Sequence, residues 1–435
     1  MSGDIIVNVN PVGDGISACF VEAPFHLTNG GLTTLVRLNE VHAVTGPDAI
    51  QAVGRLLAAK IRENPVVDTV LTRIMTHPAA PPSIPIYFRV SDADAHGLSW
   101  EALVSDGNFI ALDERWPILR IARGGNVTYG TERVFAPPLH LVCVLSAVGC
   151  PAVAEWQAIY SAVTQARTVR FPITVTLFAG EETEIINAVE RLNDPGVAVR
   201  PVPANASDLL DALAALKPEP HLLHFYCHGT IAGDVRELAI GTISDFDNAD
   251  GSFGPSSVKL KTQELGPVAK KAGTWAVILN TCRGAEAAGP PLTHAEEIVN
   301  GGVPIAIGMR RQVDAEDASA FSAAFYPAAF RAIHEAVGAT DSATMSWGDT
   351  VLQARRKLRD RHGADPALHD AWTVPVLYTR PGPFTVLPAT PAERDDTIQR
   401  LGTTRTTRGL LNVLPEGTPQ DVLDELTAIL SEGSA

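Results

Sequence analysis

Cysteine is scarce in this chain. Five stand in 435 residues, Cys19, Cys143, Cys150, Cys227 and Cys282, and no two form a Cys-x-x-Cys pair. An odd, scattered set excludes a disulfide framework and a zinc knuckle; it reads as free thiols in a reducing, cytoplasmic setting. Long apolar runs are also missing, since no stretch approaches the roughly 18 uncharged residues that span a bilayer. The opening residues "MSGDIIVNVNP" lack the basic and apolar segments of a secretion signal. Nor is there an excess of basic residues. With 34 Lys and Arg against 49 Asp and Glu the net charge is −15, which argues against nonspecific attraction to nucleic acid or anionic membrane. A short basic stretch, "TRTTR" (404–408), does not alter that balance. "LSAVGCPAVAEW" has a single Gly and no Lys-Ser or Lys-Thr, so a phosphate-cradling loop is excluded and a nucleotide-binding reading fails with it.

What is present describes an ordinary globular protein: 46% hydrophobic and 19% charged residues, in a length that usually makes two or three domains. The first 80 residues mix short β-like runs ("DIIVNVNP", "GISACFVEA", "TLVRLNEV") with one amphipathic helix at about 47–62. The proline-crowded "THPAAPPSIP" (76–85) then reads as a linker or rigid turn, and a boundary is expected there. Beyond it, strands and helices alternate. "LHLVCVLSA" (139–147), "FPITVTLFA" (171–179), "VAVRPVP" (197–203), "HLLHFYCHG" (221–229), "WAVILNTC" (275–282) and "GVPIAIGM" (302–309) are apolar runs of strand length. Between them lie helical segments, one of them expected to open on a capping Ser207, and a long helix from about 315. Near-continuous apolar strands alternating with helices predict a mostly parallel central sheet flanked by helices, an α/β fold. The segment 236–260 is expected to form a hairpin beside that sheet, with a Gly-, Ser- and Asp-rich loop (241–256) suited to a mobile element. The expected organisation is a small α+β amino-terminal region (1–80), a core domain (85–385) and a helical tail (386–435), the tail including a helix at 418–431 capped by Thr418.

Two of the apolar strands stop on reactive side chains. One runs Tyr226-Cys227-His228-Gly229 and the other Asn280-Thr281-Cys282-Arg283-Gly284. In an open α/β sheet, chemistry collects outside the carboxyl ends of the strands, so neighbouring strands would bring His228 and Cys282 to one crevice where the dry strand reaches solvent. A thiolate is the nucleophile of such a pair, and a nearby imidazolium lowers the thiol pKa and supplies a proton to the leaving group. The oxyanion formed on attack needs preorganised donors, for which the backbone amides of Gly229 and Cys282 are the candidates. A lone Cys at a strand end is more often a small buried hydrophobe, and a lone His a hydrogen-bonded core residue; the pair is the specific signal. His224 shares a strand face with His228 and reads as structural. No acidic or second His or Cys ligand stands at metal spacing, so neither metal nor cofactor is expected.

"HFYCHG" followed by "VILNTCRGA" resembles the His-Gly and Cys motifs of CHAT-type caspase-like peptidases, relatives of caspases and separases. The resemblance extends to "LSWEALVSDGNFIALDERWPILRIAR" (98–123), "GGVPIAIGMRRQVDAEDASAFSAAFYPAAF" (301–330) and "WTVPVLYTR" (372–380), and so covers about 85–385. It implies a caspase-like sandwich and a cysteine endopeptidase acting on a protein substrate, with Cys282 as nucleophile and His228 as general acid/base. It further implies regulated proteolysis, often in bacterial defence or programmed death, with a sensor or activating partner. Two features depart from the family pattern: Arg283 follows the Cys, and Arg310-Arg311 stand where many members carry an aromatic. Arg310 or Arg311 could select an acidic residue of the substrate, whereas Asp314, Glu316 and Asp317 could select a basic one. A helix start favoured by the macrodipole accounts for those acids equally well. The alternative to a peptidase is a catalytically silent scaffold of the same fold that binds a peptide or partner protein.

Overall fold

In the computed structural model the described residues are 96–122, 131–135, 137–233, 235–247, 256–281, 292–339, 342–363, 365–380 and 383–387, with 5–12, 15–22, 34–37, 49–63 and 83–90 in the amino-terminal part and a few isolated positions elsewhere. Fourteen strands join in one sheet: β1 Ile5–Val12, β2 Gly15–Glu22, β3 Thr34–Arg37, β4 Ile86–Val90, β5 Ile118–Ile121, β6 Leu139–Leu145, β7 Ile173–Ala179, β8 Val197–Pro201, β9 Leu222–Ala232, β10 Val235–Ile240, β11 Val258–Lys261, β12 Ala276–Thr281, β13 Ile305–Met309 and β14 Pro375–Thr379. Their order is β8-β7-β6-β9-β12-β13-β14-β5-β4-β1-β2-β3, with the β10–β11 hairpin branching from β9. From β8 to β13 every neighbour is parallel; β14 is antiparallel to β13 and parallel to β5.

The principal helices are α1 Ala49–Arg62, α2 Val153–Thr168, α3 Ala206–Ala214, α4 Thr262–Lys271, α5 Leu292–Asn300, α6 Ala315–Val337 and α7 Trp347–Arg361. Strand alternation divides the core between the two faces. Leu141, Cys143, Leu145, Tyr226 and Ile278 pack with Trp156 and Ile159 of α2 and Phe321 and Phe325 of α6. Val142, Val144, Phe225, Cys227 and Leu279 pack with Leu209 of α3, Leu265 of α4 and Ile298 of α5. Strands β6, β9 and β12 are apolar on both faces because both faces are covered, and this is why they read as continuous apolar runs rather than alternating ones.

Several expectations shift in detail. The proline-crowded stretch does not separate two sheets: β1, before it, pairs in parallel with β4, after it, from Ile5 opposite Ile86 to Val9 opposite Val90. Ser207 lies inside α3, and the cap is Asn205, whose side chain accepts from the Asp208 amide at 2.9 Å. The hairpin 236–260 forms as β10 and β11, while 248–255 lies outside the described residues. The tail helix expected at 418–431, with Thr418, also lies outside them apart from scattered positions. No helix among the described residues is long and apolar enough to cross a membrane.

Candidate active site

The chain reverses its direction of travel across the sheet between β6 and β9. From β6 it moves to β7 and β8; from β9 it moves the other way, to β12 and β13. Segments leaving the carboxyl ends of β6 and β9 therefore part to opposite sides. Such a switch point leaves a crevice, the usual place for a ligand in an open parallel sheet. His228 stands there. Its Nε2 lies 2.8 Å from the carbonyl oxygen of Val148, in the segment that follows β6. A carbonyl can only accept, so Nε2 carries the hydrogen and in this tautomer the ring's lone pair is on Nδ1.

The strand bearing His228 does not end at His-Gly. Its pairing with β6 runs to Tyr226 opposite Leu145, and its pairing with β12 runs to Cys227 opposite Thr281. From His228, opposite Ala239, to Ala232 it continues as the antiparallel partner of β10. His228 thus marks the place where one strand changes partners. It is also buried, at 3% exposure, rather than open to solvent as the sequence pattern implies, because the β10 hairpin and the 146–152 segment cover it. Cys282, immediately after Thr281, lies outside the described residues.

Gly229 faces Thr281 Cγ2 and the His294 ring, and a Cβ added there would sit 3.5 Å from the former and 3.7 Å from the latter. That is ordinary contact, so its described neighbours do not demand glycine. His294, near the start of α5, places Nε2 3.1 Å from the Thr230 carbonyl and 3.3 Å from that of Glu237, joining the helix to the hairpin. Arg236 of β10 and Glu297 of α5 add an ion pair at 2.6 Å. Beneath His228, the buried carboxylate of Glu155 gathers Asn280, Ser322 and His224.

Neither described strand thiol near this crevice is suited to attack. Cys227 projects to the opposite face, where burial pushes its thiol well up despite Lys259. Burial, and then the charge of Glu155, raise Cys143 in the same sense.

The substrate-contact candidates are engaged elsewhere. Asp314 caps α6, accepting from the Asp317 amide at 2.7 Å. Glu316 and Asp317 pair with Arg361. Arg311, half exposed, forms a two-point contact with Asp370 at 2.5 and 3.2 Å. Arg310, directly after β13, donates to Thr373 Oγ1 at 3.0 Å and to the Gly97 carbonyl at 3.3 Å.

Residues 67–361 match the CHAT domain family, well over half of the chain. The chain belongs to the CHAT family. Membership places this α/β frame with the caspase-like proteases. Among solved structures, two of the Saccharomyces cerevisiae separase–securin complex, at 2.6 and 3.0 Å, are similar to this CHAT chain at 13% and 12% identity, with TM-scores of 0.34 and 0.33. Each covers 84% of it, whereas it covers 22% and 21% of the separase chains, about a fifth of their length. No curated protein matches.

Some members of the site could not be picked out as such from sequence. Val148 acts through its carbonyl, which any residue carries. Asn280 did leave a trace, as a polar residue inside the apolar run "WAVILNTC". Glu155 reads in sequence as an acid favoured at a helix start.

Proposed function

We propose that this CHAT protein is a cysteine endopeptidase in which Cys282 is the nucleophile and His228 the general acid/base. The observation that carries the reading is the placement of His228 at the switch point, its tautomer set by Val148, one residue beyond the Cys227–Thr281 pair. The next residue after Thr281 is Cys282. In the reaction, His228 Nδ1 takes the thiol proton, the thiolate attacks the peptide carbonyl, and the imidazolium returns the proton to the departing amine. Water then hydrolyses the thioester by the same relay. The amides of Gly229 and Cys282 are the proposed donors to the oxyanion. Arg311 is the better of the two substrate contacts, since a substrate carboxylate can compete for it with the half-exposed Asp370, whereas Asp314 is held in its cap.

The protein substrate would be met in the cytoplasm, under the control of an activating or sensor protein, in bacterial defence or programmed death. The burial of His228 fits both a closed resting state and a silent scaffold. One assay separates these. The wild-type chain, alone and with the proteins encoded beside it, is incubated with a protein mixture, and new amino termini are read by mass spectrometry. Cleavage should be weak for the chain alone, rise with its partner, and fall at least a hundredfold in Cys282→Ala and in His228→Ala. Near-wild-type cleavage by either variant removes the dyad; full activity in isolation, unchanged without residues 390–435, removes the partner control.

A further inference from the structure

The carboxyl halves of β9 and β12 rest on a polar cluster that the dyad chemistry leaves unused. Glu155, in the first turn of α2, is fully buried. Its Oε1 is met from three other elements. Asn280 of β12 donates through Nδ2 at 3.0 Å, the Ser322 hydroxyl of α6 donates, and His224 of β9 brings Nε2 to 3.0 Å, within ion-pair range but outside hydrogen-bond alignment. The Asn280 amide also donates to the Ala318 carbonyl of α6 at 2.9 Å. Oε2 of Glu155 and Nδ1 of His224 have no hydrogen-bond partner among the described residues. Apolar side chains would fill this space with less desolvation, and a partly satisfied buried network is a poor source of stability. What such a network supplies is geometry. His224 shares its face with His228 along β9, and Asn280 stands two positions before Cys282 in the sequence.

We propose that Glu155 is a positioning residue of the peptidase reaction, holding the ends of β9 and β12 in register through His224 and Asn280 so that the histidine and the thiol meet. This rests on the dyad reading. Among the described residues, the other titratable groups against the cluster are the Cys143 thiol of β6, paired with His224 across the strands, and the Tyr326 phenol of α6, whose ring is 5.6 Å from that of His224. Burial raises both, with Glu155 adding to it, so both stay protonated near neutral pH.

The test needs no substrate. Iodoacetamide labelling of Cys282 in the full-length protein is followed by peptide mass spectrometry from pH 5 to pH 9. A histidine-coupled thiol is half-reactive below the value near 8.5 of a free cysteine. Glu155→Gln should raise that midpoint by about one pH unit, which slows labelling about tenfold below both midpoints. Ser322→Ala should shift it less, in the same direction. Buried Cys143 and Cys227 must stay unlabelled, because general loosening would expose them and would speed reaction at Cys282. A wild-type midpoint in both variants overturns the proposal; if Glu155→Gln does not fold, Ser322→Ala decides alone. A midpoint that is the same in wild type and His228→Ala overturns the dyad reading, and the positioning role with it.

Discussion

Glu181, two residues beyond β7, is a carboxyl group out of its usual range: burial, and then the adjacent Glu184, raise it from 4.5 to about 7. The folded state therefore binds the proton more tightly than the unfolded state. Stability from this group is complete below pH 4.5 and is lost as the pH rises through 7. The shift has a ceiling of about 3 kcal/mol, and partial contact with water reduces it to about 1 kcal/mol. Glu181→Gln should accordingly be more stable than wild type by about that amount at pH 8 and no more stable at pH 4.5, as read from urea denaturation at each pH. His221, lowered to about 4 by burial and then by His140, acts in the opposite sense and loses stability as the pH falls from 6.5, but it is common to both proteins and cancels. An equal stability difference at the two pH values would refute the assignment. At this same scale the sequence was an uneven guide to the site. His228 was legible because an imidazole breaks an apolar run, and Asn280 interrupts another in the same way. Glu155 was not, because the contacts that single it out join residues far apart in the chain.

Elements were legible where periodicity is strong, and their ends were not. The strands β6, β9 and β12 and the start of α6 follow from apolar runs and a helical stripe. The continuation of β9 past Gly229 does not, because its last residues are held by β10 rather than by the apolar pattern that marks a core strand. Helix α1 shows how one residue governs an element's docking. Gly54 packs so closely on the segment 100–102 that an added Cβ would lie 1.9 Å from the Ala102 carbonyl oxygen. Gly to Ala in an exposed helix stabilises by about 1 kcal/mol. Here the obstacle is backbone, which cannot turn aside, so Gly54→Ala is expected to destabilise by about 1–3 kcal/mol in thermal or urea unfolding. A stabilised variant would mean that α1 does not dock as described.

At the scale of the whole molecule, composition and alternation were enough to name the class, an α/β protein with a mostly parallel sheet. The single sheet running from β8 to β3 was not foreseen, because prolines at 76–85 look like a boundary and nothing local reports that β1 will pair with β4. Pairings between distant segments are written in the register of a sheet, not in any one stretch of sequence. The partner change along β9 also bears on how this sheet opens. Residues 222–226 are hydrogen-bonded on both flanks, whereas 228–232 have one paired neighbour, β10, among the described residues. Fraying that begins at the hairpin can advance to His228 and must stop there, since going further means parting the core. Amide hydrogen exchange should record a step at that residue: protection near the global limit for 223–226, and exchange at least tenfold faster for 229–232. Equal protection across the whole strand would make the hairpin part of the core's cooperative unit. With the step, the histidine sits at the edge between a rigid body and a breathing one, and the hairpin can lift from it without unfolding the protein.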